Sequence, residues 1–590
     1  MRRPLVVLTL VAGCLHGWGL FRGGTHYYYS AAVRGMSTSW SAFVFGAVDP
    51  AASMTVDKLP GGLWIQALFV RVFGFHSWVL LLPGALAATA TVPLLFAAVR
   101  RWAGTRAGLI AAAVLLASPV AFATARVNLV DPQLVLCLVA AAYALTRALE
   151  DVRWRWVVAA GALVGVGFQI KMAEAWVVLP ALIAACSVGP GPRLRRAVAL
   201  SGTALVVSLA WLVAVGFVPR GERPHVDGSR GDSWWEMVFG YNGLGRSLAG
   251  GGSPLSSTAA PYGGPPGPLR LLDDQLGGQI GWLLPLALVL LAAAWWPHRR
   301  DPLWTLWGGW LLTGALVLSF LPGIHPYYAT LLAPALAAVV GAGVPVAWSW
   351  WGDRSGLRWV LPIGGVLSVV GAAVVMNRAG GPGWLVAVAS VVVLGMALRG
   401  PRRAVAALGA VVLLAAPVAW IAITPAVAAN SMHTANPVAG PQTAVAVFGV
   451  ADPRVTLARI LGIPPTGPVP AIDAPLPGSA VDPALLEYLR TRRAGERFLF
   501  ATGDASTASP YLAAGYGVLP MGGFTGFSPY PEPAELAGLI RGGQLRFLYL
   551  TAVPGLPGVL GERAQWARSH CAPVPLRTPS GMTLFDCAAV

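Results

Sequence analysis

Runs of about twenty apolar residues recur along the chain, separated by short junctions that carry arginines. Windows of hydropathy place about thirteen spans, at 4–20, 78–98, 107–123, 132–148, 156–170, 175–189, 197–218, 279–297, 303–320, 327–350, 359–376, 384–398 and 405–424. Alternate junctions hold Arg2/Arg3, Arg100/Arg101/Arg106, Arg147/Arg153/Arg155, Arg193/Arg195/Arg196, Arg299/Arg300, Arg354/Arg358 and Arg399/Arg402/Arg403. Cytoplasmic ends of membrane helices collect Lys and Arg, so these junctions and the N-terminus are expected inside the cell. An odd number of crossings then leaves everything beyond about residue 425 outside. Arg2/Arg3 and the run behind them look like a secretory signal, but no small-residue cleavage site follows, so the run is expected to be the first span.

After residue 424 the pattern changes. Phe498 to Ala501 and Leu545 to Leu550 read as short buried strands, and Pro483 to Arg492 and Pro533 to Ile540 as helices with one apolar face. The expected division is a membrane domain over 1–424, a linker over 425–480 that is rich in Pro and Gly from Pro464 to Pro477, and an extracytoplasmic α/β domain over 481–590. External loops 21–77 and 219–278 are long, which usually signals function. In the first, Ala31 to Met36 and Gly61 to Phe75, the latter interrupted by Arg71, read as helices lying in the interface and roofing a cavity.

Composition sharpens the picture. With 56% hydrophobic and 11% charged among 590 residues, the chain cannot coat itself as a soluble enzyme, and its apolar runs exclude low-complexity disorder. The net charge of +17 sits in small groups between spans, which is topology charge and not a nucleic-acid face. Cys14, Cys137 and Cys186 lie in apolar stretches, whereas Cys571 and Cys587 fall in the outer part, where a disulfide between them is expected.

Polar residues collect at the external ends. The first long loop holds His26, Tyr27 to Tyr29, Asp49 and Asp57-Lys58; the short loop 124–131 holds Arg126, Asn128 and Asp131; the second long loop holds Asn242 and Arg246; and His325 precedes Pro326-Tyr327-Tyr328. Each alone has a plainer reading. Asp131 would favour a helix N-terminus, Asp49 and Asp57 would serve turns, His325 would belong to an aromatic belt, and Asn242 and Arg246 to a glycine-rich loop. Together they would put acids and cations on one external face. No nucleotide-sugar supply exists there, so a transferase would draw on a polyprenyl-phosphate sugar. A carboxylate would deprotonate the acceptor hydroxyl, and Arg, Lys, His and Tyr would stabilise the departing lipid phosphate. No zinc-type Cys/His spacing and no phosphate-loop motif occurs, so the sequence singles out no cofactor, while three loop acids could share a divalent cation.

The chain resembles the GT-C glycosyltransferases, specifically the protein O-mannosyltransferase and aminoarabinose-transferase-like group in its actinobacterial and Bacillus-type branch. The resemblance rests on Tyr28-Tyr29-Ser30-Ala31-Ala32-Val33, Ser39-Trp40, Phe45-Gly46, Asp49-Pro50, Thr55-Val56-Asp57-Lys58-Leu59-Pro60 and Phe73-Gly74-Phe75. It continues through Phe239 to Arg246, His325 to Tyr328 and Gly522-Gly523-Phe524. It implies a polytopic α-helical GT-C fold and inverting transfer from a polyprenyl-phosphate sugar to a cell-envelope or protein acceptor outside the plasma membrane. Its acid-Lys-Pro motif falls on Asp57, Lys58 and Pro60, and its second-loop acid on Asp131. Where the family carries a first-loop acidic pair this chain has Thr25-His26, so Asp49 or Asp57 is expected to be the base. Asp131 would orient substrate, and Lys58, Arg126, Asn128, Asn242, Arg246, His325, Tyr327 and Tyr328 would bind substrate or lipid phosphate. The alternative, a lipid or sugar transporter or flippase, would be expected to show internal repeats and charges at mid-membrane. A reporter fused after the C-terminal residue should behave as extracytoplasmic in intact cells; cytoplasmic behaviour would refute the arginine-based topology.

Overall fold

The computed structural model describes all residues except 1, 23, 152, 245–262, 352–355, 381–382, 385–387, 389–401, 425–433, 442–479, 552–557, 577–581 and 589–590. The expected span 384–398, the linker from Pro464 to Pro477, Arg246, Arg354 and Arg399 therefore lie wholly or mostly outside the described residues. Among the described residues, eight helical segments are long and apolar enough to cross a membrane, and Arg3–Trp18, Gly61–Phe73 and Leu408–Ala422 are shorter apolar helices. The fold is that of a polytopic α-helical membrane protein carrying a small sheet domain at its C-terminal end.

The chain begins with α1 (Arg2–Arg22), α2 (Tyr27–Thr38), α3 (Trp40–Phe45) and α4 (Gly61–Phe73). Helix α4 buries Leu63, Gln66, Ala67 and Val70 and exposes Ile65, Leu68, Val72 and Phe73, a division suited to an interface. The two runs expected at 78–98 and 107–123 form two helical stretches that meet at Gly104, where φ is 87° and ψ 174°; together they are labelled α5 (Ser77–Leu116), and a separate α6 (Pro119–Ala125) follows. Only glycine takes that φ without strain, so the arginine-bearing junction breaks the helix at a single residue.

Next come α7 (Asp131–Asp151), α8 (Trp154–Lys171), α9 (Leu179–Val188) and α10 (Arg193–Gly216). Gly161 and Gly165, four residues apart on α8, bring α10 into backbone contact: a Cβ at Gly161 would lie 2.4 Å from the Leu200 carbonyl, and one at Gly165 would lie 2.5 Å from Val207 Cβ. Small residues at that spacing let membrane helices approach where water supplies no driving force. The bundle continues through α11 (Leu284–His298), α12 (Pro302–Phe320), α13 (Ala333–Trp350), α14 (Val360–Arg378) and α15 (Arg402–Ala422). Tight 3-10 turns, Met172–Val178 before α9 and Pro326–Leu332 before α13, lead into two of these helices and carry polar side chains.

The C-terminal domain holds α16 (Pro483–Arg492), α17 (Ala505–Ala513), α18 (Pro533–Arg541) and α19 (Gly558–His570) around strands β1 (Phe500–Thr502), β2 (Val518–Pro520), β3 (Phe547–Thr551), β4 (Ala572–Pro573) and β5 (Met582–Asp586). The sheet order is β2-β1-β3-β5-β4, with β1 parallel to β2 and β3, and β5 antiparallel to β3 and β4. Ala501 faces Leu548, and Leu548 faces Phe585. The short β2, β4 and β5 and the helices α17 and α19 carry too little periodicity to be read from sequence. A disulfide joins Cys571 to Cys587, Cα atoms 4.4 Å apart, and ties the β4 end to the β5 end. Helix α17 packs on α2, so the sheet domain and the loop region 21–77 share one hydrophobic core containing Tyr28, Val33, Ala508 and Tyr511.

Gly161→Ala should force α8 and α10 apart and lower stability by about 1–3 kcal/mol, the usual cost of overpacking. Gly202→Ala, where nothing lies within 4 Å of a new Cβ, should not lower the thermal midpoint; equal midpoints for the two variants in detergent would refute the close-packing account.

Candidate active site

The site is assembled where helices end. Beyond α1 the chain turns so that Gly24 bridges Val127, which sets His26 beside Asn128. The His26 N–H donates to Asn128 Oδ1 at 2.6 Å, Asn128 Nδ2 lies 3.4 Å from both Ser30 Oγ and Gln66 Oε1, and Gln66 Nε2 donates to the Asn128 carbonyl at 3.1 Å. Asn128 is thus a strut between the first two loops. The His26 ring stacks on Tyr29 with centroids 4.1 Å apart, and its Nδ1 is buried without a hydrogen-bond partner. Burial, then the charges of Lys58 and His325, push its imidazole down to about 3, so it stands neutral.

Asp57 and Lys58 face this aromatic wall. The Asp57 N–H donates to Tyr28 Oη at 3.2 Å, and its carbonyl accepts from Asn242 Nδ2 at 2.6 Å. Its carboxylate lies 3.4 Å from Lys58 Nζ, and Oδ1 is buried with no hydrogen-bond donor. Lys58 donates to Tyr29 Oη and sits 4.7 Å from the Tyr29 ring centroid. Burial alone would lower the ammonium, but Asp57 and Tyr29 outweigh it and hold Lys58 above the ordinary lysine range.

A second ionic group closes the other side. Asp131 opens α7 at 2% exposure, and Lys171, the last residue of α8, donates to its Oδ1 at 2.7 Å. Glu174 Oε2 lies 2.7 Å from the same ammonium, which sits 4.0 Å from the Tyr328 ring centroid and 5.0 Å from that of Tyr327. Tyr328 interacts electrostatically with both Lys58 and Lys171, and so connects the two groups. His325 lies 3.2 Å from Asn436 Oδ1 and stacks on Tyr327 at 5.1 Å.

The structure therefore brings together Asp57, Lys58, Asn128, Asp131, Asn242, His325, Tyr327 and Tyr328 through shared neighbours. Arg126 is buried in the second loop, its guanidinium carbon 5.1 Å from the Phe122 ring centroid. Asp49 is engaged elsewhere. Its carboxylate accepts from Ser53 N at 3.0 Å, Ser53 Oγ at 2.7 Å and Met54 N at 3.3 Å, which closes its own turn. The three loop acids consequently do not converge on one ion: Asp49 serves a turn and Asp131 faces Lys171. Among the described residues no group of three or more His, Cys, Asp or Glu is arranged to hold a metal.

Sequence reasoning missed three acids and bases of this region. Lys171 and Glu174 stood in plain view as charges in a four-residue junction between apolar runs, the signal that had marked Arg126. Asp227, at 2% exposure, lies in the second long loop, where nothing sets it apart from other loop acids. Burial, then the charge of Asp57, push its carboxyl up to about 7. Outside this cluster, a polar cleft of about 670 Å³ opens between the two long loops and the C-terminal domain, lined among others by Arg223, His225, Arg230, Arg497 and Tyr530.

Residues 57–217, from Asp57 through Lys171 and Glu174, match the family described as dolichyl-phosphate-mannose-protein mannosyltransferase. Residues 485–570 match the family described as "Putative mannosyltransferase YkcB-like, C-terminal". Two Bacillus subtilis (strain 168) proteins are similar along nearly their whole length. "Putative mannosyltransferase YycA" is 29% identical over 93% of this chain and 91% of its own, and "Putative mannosyltransferase YkcB" is 27% identical over 92% and 88%. The fold is similar to the crystal structure of ArnT from Cupriavidus metallidurans bound to undecaprenyl phosphate, at TM-score 0.54 and 16% identity over 98% of this chain and 97% of that one. The chain is a membrane glycosyltransferase with the GT-C fold. Against the apo form of ArnT the glycosyltransferase gives TM-score 0.53 and 14% identity, over 99% of this chain and 98% of that one.

Lys171→Met in this glycosyltransferase should leave Asp131 and Glu174 facing each other without their shared cation. Breaking a buried pair in this way costs about 3–5 kcal/mol, so the detergent-solubilised variant should unfold at a clearly lower temperature; an unchanged midpoint would show that the pair carries no structural weight.

Proposed function

We propose that the protein transfers a sugar from a polyprenyl-phosphate donor to an acceptor hydroxyl on the external face of the plasma membrane, with inversion at the anomeric carbon. The observation that carries this reading is the buried Asp57, whose Oδ1 forms an ion pair with Lys58 at 3.4 Å and has no other polar partner, together with a second cation, Lys171, that is held by Asp131 and Glu174 and lies against the Tyr328 ring. That undecaprenyl phosphate is bound in the similar ArnT supports a lipid-phosphate donor.

In this mechanism Asp57 takes the proton of the acceptor hydroxyl as its oxygen attacks the anomeric carbon. A new C–O bond forms from the opposite side as the bond to the phosphate oxygen breaks, and that electron pair leaves with the polyprenyl phosphate. Lys58, Lys171 and the hydroxyls of Tyr29 and Tyr328 stabilise the departing anion in a site from which water is largely excluded. Asp57 is favoured over Asp49 because the Asp49 oxygens are occupied by Ser53 and Met54. The neutral His26 buttresses Tyr29 in the place where the family carries an acid.

Purified protein in lipid nanodiscs, given radiolabelled polyprenyl-phosphate mannose and a cell-envelope extract, should release polyprenyl phosphate and label the acceptor fraction. Asp57→Asn should lower turnover about 10²- to 10⁴-fold, the range for loss of a general base. Wild-type turnover in that variant would eliminate the carboxylate mechanism, and no release from any polyprenyl-phosphate sugar would eliminate the donor class.

A further inference from the structure

The Gly522-Gly523-Phe524 segment of the C-terminal domain has no place in the mechanism so far, yet it lies against the reaction centre. Both glycines adopt left-handed φ, +74° and +67°. At Gly523 the fit to the second external loop is closest: a Cβ there would lie 1.8 Å from Asp227 Oδ1 and 2.2 Å from its Cγ. The Phe524 N–H donates to Asp227 Oδ2 at 2.7 Å, and its ring packs on Tyr28 with centroids 4.7 Å apart. The segment is itself fastened to α17, where Ala505 N donates to the Gly523 carbonyl at 2.7 Å and Ser506 Oγ to the Phe524 carbonyl at 3.1 Å.

From Asp227 a chain of contacts runs to the acid proposed as base. Asp227 Oδ1 accepts from Gly228 N at 2.7 Å, and its own N–H donates to Thr55 Oγ1 at 3.0 Å. Tyr28 Oη donates to Asp227 Oδ2 across 3.5 Å and accepts from Asp57 N at 3.2 Å. Both Asp227 oxygens are filled by the protein, which suits a fastening and not a group that touches substrate.

We propose that Asp227 is a positioning residue that clasps the Gly522-Gly523-Phe524 loop of the C-terminal domain onto Tyr28 and thereby fixes where Asp57 stands, so that the reaction centre is complete only with this domain docked. The inference rests on the reading of Asp57 as the base. It gives each feature of the clasp a physical role: glycine at 523 because a side chain would enter the carboxyl group, a main-chain N–H at 524 as donor, and an aromatic ring to cover Tyr28.

The clasp responds to pH. The titratable groups facing Asp227 are Asp57 of the first loop, with Lys58 behind it, and Tyr28 of α2. The C-terminal domain presents main-chain N–H to the carboxyl; of its charged side chains nearby, Asp504 accepts from Thr507, and Arg563 donates through Nη2 to the Ser528 and Tyr530 carbonyls, with its Nε and Nη1 buried without a hydrogen-bond partner. Burial and the Asp57 charge raise the Asp227 carboxyl from 3.8 to about 7 in the docked state. The docked state therefore holds its proton longer than the undocked one. Docking is strongest below the lower value, weakens as pH rises between the two, and reaches its weakest level above about 7.

The test uses the full-length protein in nanodiscs, with polyprenyl-phosphate mannose as probe, and reads both turnover and hydrogen exchange at the Phe524 amide. Asp227→Ala and Gly523→Ala should lower kcat about tenfold to a hundredfold, as a misplaced catalytic group does. The donor KM should stay within about twofold, since a positioning defect removes transition-state stabilisation and not ground-state binding. The Phe524 amide should lose its protection in both variants. Asp227→Asn, whose single oxygen can still accept from Phe524 while its amide nitrogen meets the Gly228 N–H, cannot ionise and should restore part of the protection and of the lost kcat at pH 6. It should also lack the decline in kcat that the wild type shows as pH rises through about 7. Wild-type kcat or wild-type Phe524 protection in Asp227→Ala, a loss confined to KM, or an unaltered alkaline decline in Asp227→Asn would each overturn the proposal. Should Asp57→Asn turn over the donor like the wild type, the reading of Asp57 falls, while the exchange measurement still decides whether Asp227 holds the loop.

Discussion

Ionised side chains buried where apolar helices end must find opposite charges or donors within reach, and this requirement governs the end of the bundle that carries Asp57, Lys58, Asp131 and Lys171. Lys171 answers it for Asp131 and Glu174, and Lys58 for Asp57. Each cation is held both by an acid of its own segment and from a second element, Lys58 by Tyr29 of α2 and Lys171 by Asp131 of α7. Lys171 stands at the break between α8 and the Met172–Val178 turn, whereas Asp131 begins α7, so the pair fixes the relative rotation of two helices as well as the charge in the site. Tyrosines from α2 and from the turn before α13 surround both ammonium groups, which lets cations persist in a largely aromatic enclosure.

The helical bundle supplies rigidity to this arrangement from a different source. Gly161 and Gly165 allow α8 and α10 to touch along their backbones, and Gly61 approaches the Gln169 carbonyl so closely that a Cβ would lie 2.5 Å away. The latter contact sets the start of α4, one residue after the Asp57-to-Pro60 segment, against the end of α8 that carries Lys171. Main-chain contacts of this kind hold the two ionic groups at a constant separation, which the proposed transfer, with a phosphate on one side and a proton acceptor on the other, would require.

The C-terminal sheet domain is part of the same construction. Its core continues into that of α2, and it reaches the centre through the Phe524 main chain. A domain joined only by a linker would be free to move away; here the shared apolar core and the buried hydrogen bond to Asp227 give it a defined seat, with an ionisable group at the point of contact.

The apolar runs, the arginine junctions and the clustering of polar residues at span ends are local features, and the sequence alone determined from them a polytopic membrane protein with a small α/β domain, and pointed to the loops that carry the candidate site. Asp57-Lys58, Asn128, Asp131, Asn242 and the His325-to-Tyr328 segment were legible because polar groups beside membrane spans are costly and therefore stand out. Which of them act together was not legible. Asp131 meets Lys171 across 40 positions, His26 meets Asn128 across 102, and Phe524 meets Asp227 across 297. Periodicity carries no information over such separations. Tertiary structure alone decided that Asp49 spends its oxygens on its own turn, that Lys171 and Glu174 belong to the site, and that Asp227 lies under the C-terminal domain. The physical reason is that a carboxylate's role follows from the donors that reach it in space, and those donors come from elements that only the packed bundle brings together.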